Sequence, residues 1–505
     1  MIPSRANFIA GHWATPARSQ NMLRRENPAR TDEVVFETPW DTASVEAAVD
    51  AAHRALPAWD RLGVEGRLPY ITRFRQALAS RQEELAQAIT AEMGKPLWES
   101  RGEAGALTAK IDIMSTEGLE LTRQVHPPGL TGGSWRHRPL GPLAVLCPYN
   151  FPLHLPNGHI IPALLTGNTL IIKPSELAPL SMQLYFECAQ EADFPPGVLN
   201  LVQGPGEVGA ALCAHPKVSG VLFTGSFATG QRIRRATFDQ PWKLLALEMG
   251  GKNTALVLDD ANLDQAAHEI LLASCLTTGQ RCSATSRVVA LPSVIDALQE
   301  RLVALLKRVT TGDPALEGDQ APFMGPLAGR KGFQDFVGAQ HEDDHGTLIP
   351  VLEGGAHPDL DQGYFVRPSL WRASQLDPEG DHQSEELFGP DIVLYQADTL
   401  EDAARIANAT DYGLAMSVFT ADHERFERLG HQLHCGILNL NRSTVGASSR
   451  LPFGGVKKSG NHRPAAILAP LYCTYPQARL EQPALFSSDD ATAGPLARLK
   501  PVMPR

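Results

Sequence analysis

Long apolar runs are missing from this chain of 505 residues. No uninterrupted stretch reaches the length a bilayer-crossing helix needs, which argues against a membrane-spanning protein. Runs of Lys and Arg are missing as well. With 45 basic against 56 acidic side chains and a formal charge of −11, the chain offers no basic face for nucleic acid, so small molecules are the expected ligands. Cysteine is sparse: Cys147, Cys188, Cys213, Cys275, Cys282, Cys435 and Cys473 show no CxxC spacing and leave one over if paired. That excludes a disulfide framework and suits a reducing cytosol. Met1 to Ala14 carries Arg5, Asn7 and His12 where a secretory segment needs an apolar core, so the expectation is a cytoplasmic protein. No internal repeat or low-complexity tract stands out.

What is present is enough for a large interior. At 43% hydrophobic and 20% charged residues, the chain should form two or three domains. Ala55 to Met93 reads as helices with an apolar stripe (Leu68, Ile71, Phe74, Leu78, Leu85, Ile89). From Pro142, β-rich runs alternate with helix-length connections: Leu143 to Cys147, Thr169 to Ile172, Val198 to Val202, Val221 to Thr224, Leu244 to Leu247 and Ala255 to Leu258. Such alternation predicts a parallel sheet covered on both faces. It resumes with helices at Leu263 to Thr278, Val294 to Val309 and Glu401 to Asn408 and strands at Arg287 to Leu291 and Ile392 to Tyr395, which predicts a second α/β domain. Ser293-x-x-Asp296 and Thr399-x-x-Asp402 resemble capping boxes at two of these helix starts. Gly312 to Asp381, rich in Gly, Pro and Asp, is expected to be surface connections, and Gln482 to Arg505 a loose tail.

Several short motifs carry chemistry. Cys282 sits in Gly279-Gln280-Arg281-Cys282-Ser283 and Glu248 in Leu247-Glu248-Met249-Gly250-Gly251. A thiol and a water-activating carboxylate, each in a small-residue loop, are what aldehyde oxidation through a thioester requires. Taken singly, Cys282 could be a core cysteine and Glu248 a surface carboxylate. Asn150, between Pro148 and Pro152, could donate to an oxyanion or serve only as a turn residue. Two glycine turns, one around Gly206 and one at Gly225-Ser226 with Gly230 beyond, follow predicted strands, where backbone amides can approach a pyrophosphate. Lys173, Ser175 and Glu176 close another predicted strand. Glu176 could accept both hydroxyls of an adenosine ribose and repel a 2′-phosphate, which favours NAD over NADP; an exposed loop is the plainer alternative. His431-Gln432-Leu433-His434-Cys435 has the composition of a metal cluster, but its place at a helix end reads as surface, and no metal is expected.

Taken in order, these motifs, with Phe223-Thr224-Gly225-Ser226, Glu386-Leu387-Phe388-Gly389-Pro390 and Pro452-Phe453-Gly454-Gly455, resemble the NAD(P)-dependent aldehyde dehydrogenase superfamily from about Phe8 to about Glu481. The resemblance implies two doubly wound parallel-sheet domains and a small β oligomerisation arm. The NAD-binding domain would comprise residues 1–120 and 138–247, the catalytic domain 248–440, the arm 121–137 and 464–481, and the tail 482–505. Ala465 to Tyr475 would add a strand to a partner's sheet in a homodimer or homotetramer, or else pack within its own chain. The family pattern makes Cys282 the nucleophile, Glu248 the deacylating base, and Asn150 with the Cys282 N–H the oxyanion donors. It assigns the cofactor to Lys173, Ser175, Glu176, Gly206, Phe223, Thr224, Gly225, Ser226, Gly230, Glu386 and Phe388. Relatives that pass the acyl group to coenzyme A typically lack the glutamate, so water is the expected acceptor.

A finer resemblance lies in Phe151 to His159, Thr444 to Ser449 and Ser459 to Pro464, which are similar to the branch of the superfamily that acts on N-succinylglutamate 5-semialdehyde in arginine catabolism. Many other members carry a bulky aromatic where this chain has Gly158, so the glycine implies a tunnel open to a long, branched, anionic aldehyde. The expected substrate residues are Phe151, Leu155, Gly158, Arg281, Ser283, Gly446, Ser448 and Phe453, and Arg450 is expected to face solvent. Glutamate or succinate semialdehyde is the alternative substrate. A binding or structural protein without turnover is the alternative of another class.

Overall fold

The computed structural model describes residues 2–16, 19 and 21–482. Its first sheet runs in the order Leu244–Glu248, Gly220–Thr224, Pro142–Leu146, Thr169–Lys173, Leu199–Leu201, Asn7–Ile9, His12–Ala14. The first five strands are parallel, and the last two form an antiparallel hairpin on the far edge. Successive side chains of a strand point to opposite faces. Accordingly Leu143, Val145, Leu170, Ile172 and Leu222 enter one core, while Ala144, Leu146, Ile171, Val221 and Phe223 enter another. Phe74, Leu85, Leu107, Ile160 and Leu184, all helical, cover the first face, and Val45, Ala48, Val49 and Ala52 of the Ser44–Arg61 helix cover the second. The sheet is therefore wound on both sides.

The second sheet has the order Leu348–Leu352, Ser369–Ala373, Asp391–Gln396, Thr285–Ala290, Asn253–Val257, Ala415–Phe419, Ile437–Leu440. All neighbours are parallel except the first pair. Leu256, Val289, Val393 and Val418 pack there with Ile270, Leu298, Ile406 and Leu429 of the surrounding helices. Glu248 ends the last strand of the first sheet and Asn253 begins a central strand of the second, so four residues join the two. The register places Leu146, Lys173, Thr224 and Glu248 along the carboxyl edge of the first sheet. Asn253, Thr285, Asp391 and Ala415 lie along the amino edge of the second. The loops bearing Asn150, Glu248, Cys282 and Glu386 meet between these edges.

Several expectations are corrected. Gly312 to Asp381 is more than connections: it contains the Arg330–Ala339 helix and two strands, Leu348–Leu352 and Ser369–Ala373, that complete the second sheet. The surrounding Gly, Pro and Asp hide two short strands, one at the edge of the sheet and the other just inside it. The helix expected at Leu263 to Thr278 stops at Cys275, because Thr277 and Thr278 adopt φ of 56° and 54°. Ser293 caps nothing, whereas the Thr399 hydroxyl accepts from the Asp402 N–H as the spacing predicts. Ala465 to Tyr475 packs within its own chain: Ala465–Ala466 pairs with Pro452–Phe453, and Ala469–Tyr472 is helical. The strand is Thr474–Leu480, antiparallel to Gly133–Pro139 of the same chain. The tail from residue 483 lies outside the described residues. Among the described residues, no helix is long and apolar enough to cross a membrane.

Two helices left unread in the sequence matter for the site. Leu97–Ile113 brings Glu99, Glu103 and Lys110 to one side, because residues four and eleven positions apart fall within about 40° around a helix axis. His154–Leu165 then crosses it, its first turn held by Glu103, whose carboxylate accepts from the N–H groups of Leu153 at 3.1 Å and His154 at 3.0 Å.

Candidate active site

A cavity of about 160 Å³ opens between the two sheet edges. Cys282 and Glu248 both line it, with Phe151, Leu155, Gly158, Arg281, Ser283, Gly446, Ser448 and Phe453. Every residue expected to touch substrate is thus on one wall or another. Asn150 lies just behind, buried, its side-chain amide donating to the Gln280 carbonyl at 2.8 Å. One amide hydrogen is committed to that bond, which fixes the direction of the other.

The cysteine loop is held by groups absent from the motif itself. Thr277 and Thr278 carry a left-handed backbone, a conformation that costs a β-branched residue about 1–3 kcal/mol. Glu99 offsets that cost. Its carboxylate accepts from the Thr277 N–H at 3.0 Å, from the Thr277 hydroxyl, and from Arg281 at 2.7 Å. Arg281 also donates to the Thr277 hydroxyl at 2.9 Å, and Thr278 to the Gly325 carbonyl at 2.9 Å. Burial works against the Glu99 charge, but Arg281, Lys95 and the Thr277 hydroxyl outweigh it and hold the carboxyl below its ordinary range. Beyond the nucleophile, Asn253 donates to the carbonyls of Cys282 at 2.8 Å and Ala284 at 2.9 Å, and accepts from the Ala415 N–H at 2.9 Å. The loop is thereby tied to the amino edge of the second sheet.

Glu248 ends an edge strand. Asn461 acts as the missing neighbour, accepting from the Leu247 N–H at 2.9 Å and donating to the Leu245 carbonyl at 2.8 Å, and the Met249 N–H donates to the Ser459 carbonyl. The carboxyl itself has no ion-pair partner among the described residues, and burial pushes it well above the carboxylate range. Burial also pushes Cys282 up to about 12, with Glu386 and Glu248 adding to the shift and Arg281 opposing it. Burial thus acts against a charge on both the thiol and the carboxyl.

The cofactor residues follow the carboxyl edge of the first sheet. Lys173 is buried at the end of its strand and pairs at 3.3 Å with the half-exposed Glu176. The Ser175 hydroxyl accepts from the Leu177 N–H and shapes the turn. Gly206 opens the Gly206–Ala214 helix with nothing within 4 Å of where a Cβ would stand. Ser226 caps the Phe227–Ala236 helix, accepting from the Thr229 N–H, and the Gly225 N–H donates to the Glu248 carbonyl. Gly230 lies against Met249, where a side chain would collide, and Phe223 is core. The starts of the 206–214 and 227–236 helices both carry backbone amides free of intrahelical partners, as an anion requires. Glu386 accepts from the Gly251 N–H at 2.9 Å and is pushed up to about 8 by burial. Phe388, with φ of 52°, packs edge-on against Tyr149 and lines a smaller cleft with Glu386 and Arg281. Thr224 departs from its expected place: its side chain faces the substrate cavity, 3.4 Å from His159 Nε2.

Lys110, His154 and His159 line the cavity unforeseen. A helical spacing of Glu99, Glu103 and Lys110 was the available signal for the first. Arg281 proves to be the Glu99 partner, and its guanidinium stands 5.0 Å from the Phe151 ring. Arg450 faces solvent as expected, its side chain 62% exposed, and pairs there with Glu117 at 2.8 Å.

The chain matches the aldehyde dehydrogenase family over residues 13–473 and belongs to it. Among curated relatives, N-succinylglutamate 5-semialdehyde dehydrogenase of Escherichia coli K12 is 40% identical over 484 residues, 95% of this chain and 96% of that one. Among solved structures, aldehyde dehydrogenase of Bartonella henselae has a TM-score of 0.90 at 26% identity, covering 95% of this chain and all of its own. A mutant of aldehyde dehydrogenase C from Pseudomonas syringae, in complex with NAD+ and octanal, has a TM-score of 0.88 at 30% identity, covering 94% and 96%.

Replacing Glu99 with Ala should leave Arg281 buried without its partner and destabilise the protein by about 3–5 kcal/mol, read as a lowered unfolding midpoint. The Glu99 pKa is depressed on folding, so its charge stabilises fully above the ordinary carboxylate range and less as pH falls through the folded value. Glu99→Gln should accordingly flatten the acid limb of the stability profile. Asn253→Ala, which frees the Cys282 carbonyl, should slow kcat about 10-fold or more with a smaller effect on KM, measured in steady state.

Proposed function

We propose that this aldehyde dehydrogenase oxidises N-succinyl-L-glutamate 5-semialdehyde to N-succinyl-L-glutamate in arginine breakdown, with NAD as acceptor and water as the acyl acceptor. The observation that carries the reading is the shared cavity. Cys282 and Glu248 face one space whose far end is the loop Gly446 to Ser449, rich in backbone amides and hydroxyls. The 40% identity to the Escherichia coli enzyme over nearly the whole chain selects this aldehyde over glutamate or succinate semialdehyde.

The residues at the carboxyl edge fit the cofactor. Glu176 and Lys173 would hold the adenosine ribose, the amides at the starts of the 206–214 and 227–236 helices and Ser226 the pyrophosphate, and Glu386 with Phe388 the nicotinamide ribose. NAD, when bound, supplies the hydride acceptor. Glu176 disfavours a 2′-phosphate.

Cys282 gives its proton to water, its thiolate attacks the aldehyde carbon, and the oxyanion is held by the Asn150 amide and the Cys282 N–H. Removal of hydride leaves the acyl group on sulfur as a thioester. Glu248, in its ionised form, then takes a proton from water as that water attacks the thioester carbonyl, and returns the proton to the departing Cys282 thiolate. A carboxyl raised by burial is suited to this, since a base whose pKa approaches the working pH takes a proton more readily. Its separation from any cation is what keeps it so. Seven free cysteines are what a reducing cytoplasm allows, which supports a cytoplasmic location, and the paired strands 133–139 and 474–480 would serve as the arm of a homodimer or homotetramer.

Glu248→Gln should retain a burst of NADH from acylation and lose steady-state turnover by about 100- to 10,000-fold. Rapid-mixing absorbance resolves the two phases, and full turnover without accumulated acyl-enzyme would remove Glu248 from the role of base. Comparison of kcat/KM for N-succinylglutamate, glutamate and succinate semialdehydes, each with NAD and NADP, should rank the first highest, with NAD.

A further inference from the structure

Lys110 is the unusual charge at this site. Arg281 and Lys110 line the cavity and Lys95 lies behind it against the Phe151 ring, and two of these three cations already have carboxylates: Arg281 pairs with Glu99 at 2.7 Å and Lys95 with Glu103 at 2.6 Å. Lys110 lines the cavity itself, 6% exposed, and among the described residues no carboxylate lies within ion-pair distance of its ammonium. Its one hydrogen bond there is to the His154 carbonyl, at 3.2 Å. An ammonium has three donors, and a buried one with a single neutral partner is costly unless a ligand completes it.

Gly158 faces that ammonium directly. A Cβ at residue 158 would stand 2.8 Å from Lys110 Nζ, with Cδ and Cε next at 3.6 and 3.7 Å. The space released by this glycine is therefore already occupied, by the amine. We propose that Lys110 binds a carboxylate of the aldehyde substrate by a charge-assisted hydrogen bond, and that Gly158 is there to let the lysine reach the cavity. This rests on the reading of the substrate as an anionic semialdehyde.

The neighbouring groups are arranged to leave that positive charge uncompensated. Glu103 on the same helix is taken by Lys95 and by the Leu153 and His154 N–H groups. His154 and His159, on the helix packed against it, are held neutral: burial, then Lys110, lowers both, His159 to about 3. Across the cavity burial disfavours charge on Glu248 and on Cys282, and Arg281 is matched by Glu99. Glu248 is the one carboxyl among the lining residues, and it makes no ion pair with Lys110 among the described residues. Burial also lowers Lys110 to about 8, with Glu103 opposing, so a bound carboxylate would restore its full charge.

The test compares wild type with Lys110→Met, Lys110→Arg and Gly158→Ala, using N-succinylglutamate semialdehyde and octanal as the dianionic and neutral aldehydes. In Lys110→Met the ratio of kcat/KM for the dianionic over the neutral aldehyde should fall by about 10- to 100-fold, mainly through KM. Lys110→Arg should restore part of the ratio. Gly158→Ala, which pushes the amine aside, should lower it in the same direction. Binding of N-succinylglutamate, the unreactive product, by calorimetry gives a readout independent of turnover: its affinity should weaken above about pH 8 in wild type and lose that dependence in Lys110→Met. The unliganded unfolding midpoint reports whether each variant is folded. A wild-type ratio near one would overturn the anionic-substrate reading and this inference with it. A high wild-type ratio that Lys110→Met preserves would overturn this inference alone.

Discussion

The Glu99 carboxylate holds the nucleophile loop in a shape its own sequence resists. Two consecutive threonines with φ of 56° and 54° form a turn that β-branched residues avoid, and a helix entering it at Cys275 would otherwise continue. The carboxylate engages the backbone and hydroxyl of Thr277 and, through Arg281, reaches the residue next to Cys282. Remove that anchor and the loop loses its reason to leave the helical path. The placement of Cys282 against Glu248 and Asn150 depends on it, because Asn150 takes its direction from the Gln280 carbonyl in the same loop.

That anchor in turn depends on how the two sheets are joined. The carboxyl edge of one faces the amino edge of the other, so the loops between them draw on both. The 97–113 helix belongs by packing to the first sheet's core yet carries Glu99 to a loop of the second. Reaction geometry is thus set by contacts across the boundary rather than by either sheet alone. Such contacts suit a site that must align a nucleophile with a cofactor bound on the opposite edge, since misalignment of about 1 Å can cost a large factor in rate.

The sequence made much of this readable. Strands with unbroken Val, Ile and Leu, such as 143–147 and 169–172, predicted a sheet buried on both faces because few other arrangements hide such runs. Glycine-flanked Cys282 and Glu248 stood out because small residues let backbones close around reacting atoms. Less readable were elements whose logic is distant in sequence. Lys110, Glu103 and Glu99 are spaced as helix neighbours beside the apolar stripe of their helix, but their partners, His154, Leu153, Arg281 and Thr277, are contributed by later segments. The strands 348–352 and 369–373 were masked by surrounding Gly and Pro. Thr224 was assigned by its motif to the cofactor, although its side chain alternates to the cavity side. Local pattern reports what a residue can do; long-range packing decides where it does it.

The electrostatics of the cavity combine these strands of argument. Two opposite demands meet there: a thiol must become a nucleophile, and an anionic substrate must enter. A negatively charged wall would help neither, because it raises the thiol further and repels the substrate. Burial lessens that negative charge by raising the Glu248 and Glu386 carboxyls, and it raises the thiol as well. Cations placed nearby would lower the thiol, but an unpaired cation at Arg281 would also draw the substrate's carboxylate onto the reacting atoms. Pairing Arg281 with Glu99 removes that competition and leaves positive charge where the chain of the aldehyde, rather than its reactive end, can use it. The loop's structural anchor and the cavity's charge pattern are consequences of one ion pair.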